Sequence, residues 1–287
     1  MGISKDPMVA IKNFYPPESL KDYVKYFWHL ETRELNNTRK RFQIFPDGLP
    51  GLLFHHNNGR QVLELPDQQK LPVSFVYSLS THAFTNYTSN QFSAVGVSLY
   101  PWVLNLFFDI NHMEFSNQII DLRDFCRAAL NEEVLRAPDA ETAIKILSGY
   151  LMQKLNGKRR EDLLIKDSIK RINNNNNGTL IRDLSEIYQL SERQFERRFK
   201  QTTGISPYQY FKITRFQSAL KRINFNPVEN LSAIAYAAGF ADQSHFIREF
   251  NRYSGLTPNS YLKIKHQNQA LLSGHIHQNI PQRILLS

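Results

Sequence analysis

Cysteine is almost missing from this chain. Cys126 is the single one in 287 residues, so there is no disulfide framework and no thiolate cluster for zinc. It lies in the helical-looking segment DLRDFCRAAL, where a small buried filler is expected rather than a nucleophile. Long hydrophobic runs are missing as well. The longest apolar region, residues 94–108, is interrupted by Ser98, Pro101 and Asn105 and is too short to span a bilayer. The opening MGISKDPMVAIKNF has no apolar stretch after its charges and does not read as a secretory signal. A reducing, cytoplasmic setting without a membrane partner follows as the expectation. Catalytic sets are wanting too. His55 and His56 are adjacent, so a strand would send them to opposite faces, and no His-x-His metal set appears. Neither a Gly-rich phosphate loop nor a Ser-His-Asp set is recognisable. The expectation is a non-enzyme with no catalytic residue, metal or cofactor.

Acidic residues are scarce in one half only. Residues 1–157 hold 15 Lys and Arg against 16 Asp and Glu, a net of −1, whereas residues 158–287 hold 20 against 10, a net of +10. The whole basic excess of this +9 chain thus sits in its second half, as expected if that half meets phosphates and the first does not.

The second half also carries an internal repeat, offset by 51 residues. SERQFERRFKQTTGISPYQY begins at Ser191 and DQSHFIREFNRYSGLTPNSY at Asp242, with six of twenty positions identical. These are Phe195/Phe246, Arg197/Arg248, Phe199/Phe250, Gly204/Gly255, Pro207/Pro258 and Tyr210/Tyr261. The phenylalanines of each copy are four apart and share one helical face. Gly204 and Gly255 stop that helix, while Ser206-Pro207 and Thr257-Pro258 start the next as N-cap and first-turn proline. A shorter helix precedes each copy, at residues 181–188 and 231–238. In the second copy, Ala235 and Ala238 allow close helix approach and Gly239 supplies a positive φ for the turn. Helix, tight turn, helix is the helix-turn-helix arrangement, which offers the start of its second helix to a major groove. Two copies suggest a periodic partner, double-stranded DNA.

The first half reads differently. Candidate strands at residues 23–31, 41–45, 51–55, 61–65, 73–77 and 92–99 are separated by turn signals such as PDG at 46–48 and NNG at 57–59. The pattern turns helical from about Pro101, with further helices expected over residues 122–135 and 141–155. In the latter, Ile144, Leu147, Leu151 and Leu155 form one stripe, either an internal packing face or a dimer seam. The resulting expectation is an α+β chain with a barrel- or sandwich-like β-rich sensor or dimerisation domain over residues 1–115 and a helical connector over 116–158. An all-α domain over 159–265 follows, with two helix-turn-helix units joined by a long helix, and then a disordered tail over 266–287. A joining helix over residues 207–224 would be about 25 Å long at about 1.5 Å per residue. That suits two reading heads held about one DNA turn, ~34 Å, apart.

IAYAAGFADQSHFIREFNRYSGLTPNSY, residues 234–261, resembles the signature of the AraC family of bacterial transcription regulators. Ile234, Ala235, Gly239, Phe240, Ser244, Phe246, Arg248, Phe250, Gly255, Thr257, Pro258 and Tyr261 fall where that pattern expects them, and the resemblance covers roughly residues 161–265. It implies two helix-turn-helix subdomains binding consecutive major grooves. Carried over by position, the base-edge candidates are Arg193, Glu196 and Arg197 on the first reading helix and Gln243, Ser244, His245 and Arg248 on the second. Their chemistry suits base edges, since Arg pairs bidentately with guanine, Gln with adenine, and Glu accepts from cytosine. The alternatives are a fold or phosphate role for the repeated Arg197 and Arg248, and an ion pair of Glu196 with Lys200. Two departures from the family pattern stand out: Gln189 occupies the glycine position of the first turn, and Asn251 replaces the usual lysine after Phe250.

FPDGLPGLLF (45–54) and GVSLYPWVLNLFF (96–108) resemble the β-rich N-terminal domain of a poorly characterised subset of these regulators. The family resemblance implies a half that senses a small-molecule effector, forms a homodimer, or both, with RNA polymerase as a further partner and activation as the commoner outcome. Tyr26, Trp28, Phe54, Phe75, Tyr77 and Trp102 either line a ligand pocket or form plain core. A repair methyltransferase in this half would need several cysteines. A purely architectural DNA-bending protein would not need so large a first domain.

Overall fold

Strand alternation lets one sheet in the first half bury both of its faces. The computed structural model describes residues 9–32, 39–56, 60–88, 91–108, 115–126, 128–155, 161–174, 181–225, 230–268 and 284–286. Its strands are β1 (Val9–Phe14), β2 (Val24–Thr32), β3 (Lys40–Ile44), β4 (Gly51–His56), β5 (Ser74–Tyr77), β6 (Phe84–Thr88), β7 (Ser93–Leu99), β8 (Ile119–Asp121) and β9 (Ile284–Leu286). An antiparallel six-stranded sheet runs β1-β2-β7-β4-β5-β8, and a three-stranded one runs β6-β3-β9. Along the large sheet, neighbouring residues join opposite cores. Phe27, Leu52, Phe54, Val76 and Val97 enter one, whereas Trp28, Leu30, Leu53, Phe75 and Ala94 enter the other, where Phe42 of the small sheet meets them. Gly96 faces Trp28 across β2 and β7, and a Cβ there would lie 2.2 Å from the indole, so only glycine admits that ring.

Helices Leu104–Phe107, Ala128–Leu135 and Ala140–Leu155 cover the outer face of the large sheet. Ile144, Leu147 and Leu151 are buried there within the chain, so the leucine stripe is an internal packing face and not a dimer seam. Cys126 is half-buried with its thiol 2.9 Å from the Tyr150 hydroxyl, and burial pushes its pKa up, which suits a filler.

Several expectations need correction. Residues 61–65 form no strand; only isolated bridges involve Glu64, while Val62 and Leu63 are held by burial. The predicted helix over 122–135 is a short 3-10 turn, Leu122–Asp124, followed by Ala128–Leu135. β8 lies in the stretch assigned to a helical connector, because Ile119 and Ile120 complete the edge beside β5. β9 lies in the stretch assigned to a disordered tail: Leu285 is buried and pairs with Gln43 of β3.

Apart from β9, the elements of the second half are helices: Leu163–Asn174, Ile181–Ile187, Glu192–Thr203, Pro207–Phe225, Leu231–Ala237, Gln243–Ser254 and Pro258–Asn268. Its buried residues join those of the helix-covered sheet face in one continuous core. Lys166 spans the junction, 2.9 Å from Glu161 and 3.4 Å from Asp22, with its ammonium over the rings of Tyr23 and Trp102. Among the described residues no helix is long and apolar enough to cross a membrane.

Candidate nucleic-acid interface

Each reading helix is set by the same local chemistry. Glu192–Thr203 begins at Ser191, whose hydroxyl accepts from the Gln194 N–H while the Gln194 side chain accepts from the Ser191 N–H, and ends at Gly204 with φ 84°. Gln243–Ser254 begins at Asp242, which accepts from the His245 N–H at 2.7 Å, and ends at Gly255 with φ 70°. Phe195, Phe199, Phe246 and Phe250 are completely buried. Truncating any one of them to alanine would cost about 3–5 kcal/mol. The next helices start as expected: the Gln209 N–H donates to the Ser206 hydroxyl and the Ser260 N–H to that of Thr257, each at 3.1 Å.

The two turns superimpose in bonding despite their different sequences. Gln189 has φ 53° and Gly239 φ 78°. Leu190 N–H donates to Ser185 O and Gln189 N–H to Glu186 O, as Phe240 N–H does to Ala235 O and Gly239 N–H to Tyr236 O. Gln189 therefore does not reshape the first turn but holds a left-handed conformation that glycine would adopt without strain. Turn and preceding helix repeat at an offset of 50, the reading helices at 51, so the second unit has one more residue, Ala241, before its cap.

The structure extends the repeat to a pair that the sequence reading missed. The Tyr210 hydroxyl donates to Asn173 Oδ1 at 3.1 Å, and the equivalent Tyr261 hydroxyl to Asn224 Oδ1 at 2.8 Å. Both asparagines end an identical KRIN tetrapeptide, at 170–173 and 221–224, which was the available signal. Burial pushes the Tyr261 pKa up to about 12, so this bond stays protonated at ordinary pH. The 19-residue joining helix Pro207–Phe225 thus closes the first unit with its start and opens the second with its end.

Of the candidate contacts, Arg193, Glu196, Arg197, Gln243, Ser244 and Arg248 are exposed. Among the described residues neither Arg197 nor Arg248 forms an ion pair, whereas neighbouring Arg198 grips Asp162 with two bonds of 2.6 and 2.9 Å. Gln243 is less free than its exposure suggests, because its amide oxygen accepts from the Ser232 hydroxyl at 2.6 Å. His245 departs from the expected presentation: it is half-buried, with its ring edge-on to Phe240 at 5.6 Å. In the second unit Glu249 occupies the position of Arg198 and reaches Lys212 of the joining helix at 3.5 Å. Arg215 of the same helix lies 4.1 Å from the Phe240 ring centre, and desolvation lowers its pKa. Tyr236, on the helix before the second turn, is 84% exposed and was not singled out from the sequence.

Residues 184–264 match a family described as "Helix-turn-helix domain", and residues 12–121 match a "Domain of unknown function (DUF6597)". A stretch of 81 residues is 35% identical to the "Probable transcriptional regulator LumQ" of Photobacterium leiognathi, covering 28% of this chain and 32% of that protein. Another of 84 residues is 31% identical to the "HTH-type transcriptional activator RhaS" of Pectobacterium carotovorum, covering 29% of each. The similarity therefore spans less than a third of these curated relatives. Among solved structures, ToxT from Vibrio cholerae aligns over 83% of this chain and 98% of its own, at 12% identity and a TM-score of 0.48. The DNA-binding domain of AdpA, in complex with a target DNA, aligns over 38% of this chain and 91% of its own, at 21% identity and a TM-score of 0.31.

Proposed function

We propose, from the premise that this chain belongs to the AraC family of transcription regulators, that its two helix-turn-helix units read consecutive major grooves of one DNA duplex and that its β-rich half makes this reading effector-responsive. The observation that carries the proposal is the repeated unit itself. Two capped helices, set by turns of equal bonding, expose Arg193, Glu196 and Arg197 in one copy and Gln243, Ser244 and Arg248 in the other, opposite fully buried phenylalanines. A free guanidinium at the start of such a helix suits guanine O6 and N7. His245 supports its helix against Phe240 rather than reading a base.

The basic second half supplies the phosphate attraction, and the first turns of Pro207–Phe225 and Pro258–Asn268 offer N–H groups to the backbone. Activation, with RNA polymerase as partner, is the mode we favour. The effector reading rests on a cavity of about 120 Å³ in the core between the two sheets. Trp28, Phe75 and Tyr77 line it, whereas Phe54 and Trp102 belong to the opposite, helix-covered core.

Selection of bound sequences from a random DNA pool tests the DNA reading. The expected motif has two half-sites about one helical turn apart, and Arg197→Ala and Arg248→Ala each degrade one of them by ~1–3 kcal/mol. A motif with one half-site, or equal loss of both halves in each variant, would overturn the two-groove reading.

A further inference from the structure

The cavity between the sheets and the seam between the two halves share one piece of chain. Phe45, Pro46, Asp47 and Leu49 line the cavity. The same segment is fastened to the helical half at several points. The Gln43 side-chain amide donates to Ser254 O at 2.6 Å. Phe45 packs edge-on against Phe216 and Tyr261, with ring centres 6.1 and 5.9 Å away. Pro46 O accepts from the Gln217 amide, and Gly48 lies so close to Tyr210 that a Cβ there would be 3.2 Å from its ring. Tyr210 and Tyr261 are the equivalent residues that close the two reading units. A shift of this segment by a few tenths of an ångström therefore acts on both units and on the helix joining them.

The cavity also has a definite chemistry. Its wall is built from Trp28, Leu53, Leu63, Phe75, Phe84 and Phe92 among other apolar residues. Within that wall Asn86 is 3% exposed and, among the described residues, its Oδ1 accepts no hydrogen bond. An unsatisfied buried acceptor destabilises the protein, and a ligand donor would recover that loss. An apolar cavity of roughly 150 Å³ takes up benzene, so one of about 120 Å³ holds a single ring with little room to spare. A charged molecule would lose its hydration on entering.

We propose that this cavity binds a neutral monocyclic aromatic molecule carrying one hydrogen-bond donor, held by Asn86, and that the segment from Gln43 to Gly48 passes its occupancy to both DNA-reading units. The coupling half of this inference rests on the DNA-reading function proposed above; the binding half does not.

The test is calorimetric titration of the full chain with phenol and with toluene, which share the ring but not the donor. Saturable one-to-one binding of phenol is expected, with toluene about fivefold weaker, as one hydrogen bond allows. Asn86→Leu should bring phenol down to the toluene level, with its thermal melt confirming a folded protein. No saturable phenol binding, or equal binding of phenol by the folded Asn86→Leu protein, would overturn the site. Repeating the titration with selected operator DNA bound tests the coupling, because linkage is reciprocal. Phenol affinity should change at least threefold, and Gln217→Leu, which removes the bond to Pro46 O without touching the cavity wall, should narrow that change. An unchanged affinity in the presence of DNA would overturn the coupling. Failure to select any DNA would count against the regulatory reading, and the phenol titration alone would still decide the cavity.

Discussion

Gln189→Gly is expected to stabilise the protein, and Gly239→Ala to destabilise it, although both positions lie in exposed turns. Gln189 holds φ 53° and Gly239 φ 78°, with the same pair of backbone bonds closing each turn. A left-handed conformation costs a residue with a Cβ roughly 1–2 kcal/mol. Glycine avoids that cost but loses about 0.5–1 kcal/mol through the greater freedom of its unfolded chain. The exposed Gln189 side chain takes little packing with it when removed. The difference leaves Gln189→Gly more stable by about 0.5–1 kcal/mol and Gly239→Ala less stable by a similar amount. Urea denaturation followed by far-ultraviolet circular dichroism reads both as shifts of midpoint at unchanged slope. DNA affinity of Gln189→Gly should stay the same, since the reading helix keeps its entry angle. A loss of stability in Gln189→Gly would refute the reasoning, because it would mean that the glutamine side chain, and not the backbone bonds, holds the turn.

Other perturbations probe different parts of the molecule. Gly96→Ala drives a methyl group to 2.2 Å from the Trp28 indole, so overpacking should cost about 1–3 kcal/mol in a thermal melt and abolish occupancy of the cavity that Trp28 lines. Burial lowers the His29 pKa from 6.5. The unfolded chain then takes up the proton first, so this contribution to stability is complete above pH 6.5 and is lost as the pH falls toward the folded value. His29→Gln should flatten that slope in acid denaturation. Leu285→Asp places a charge at a buried position of β9 and should release this strand, read as faster hydrogen exchange of the β3 amides that pair with it. DNA binding by the full chain should weaken steeply between low and moderate salt, and a flat response would contradict a phosphate-binding role for the basic half.

The repeat shows how far the residues alone could be read. Helix stops, caps and proline starts act over four or five residues, so Gly204, Ser206, Gly255 and Thr257 are legible one by one. The Phe195/Phe199 and Phe246/Phe250 pairs declare their buried face by spacing. The strands were harder. β8 and β9 are three-residue segments with no room for an alternating pattern, and they exist because an edge of another strand awaits them. Residues 61–65, QVLEL following a turn signal, look like a strand, yet among the described residues only isolated bridges at Glu64 reach them.

By itself, the amino-acid order determined the two helix-turn-helix units, their buried phenylalanines and the basic half that carries them, since each depends on neighbours within a turn or two of helix or on summed charge. Only the tertiary structure decided that Trp28, Phe75 and Tyr77 face a cavity while Phe54 and Trp102 do not, that Tyr210 and Tyr261 close their units on Asn173 and Asn224, and that Phe45 wedges between Phe216 and Tyr261. Those pairings join residues far apart in the chain, and many apolar partners would satisfy each of them equally in isolation. Which one is chosen depends on how all the elements pack at once.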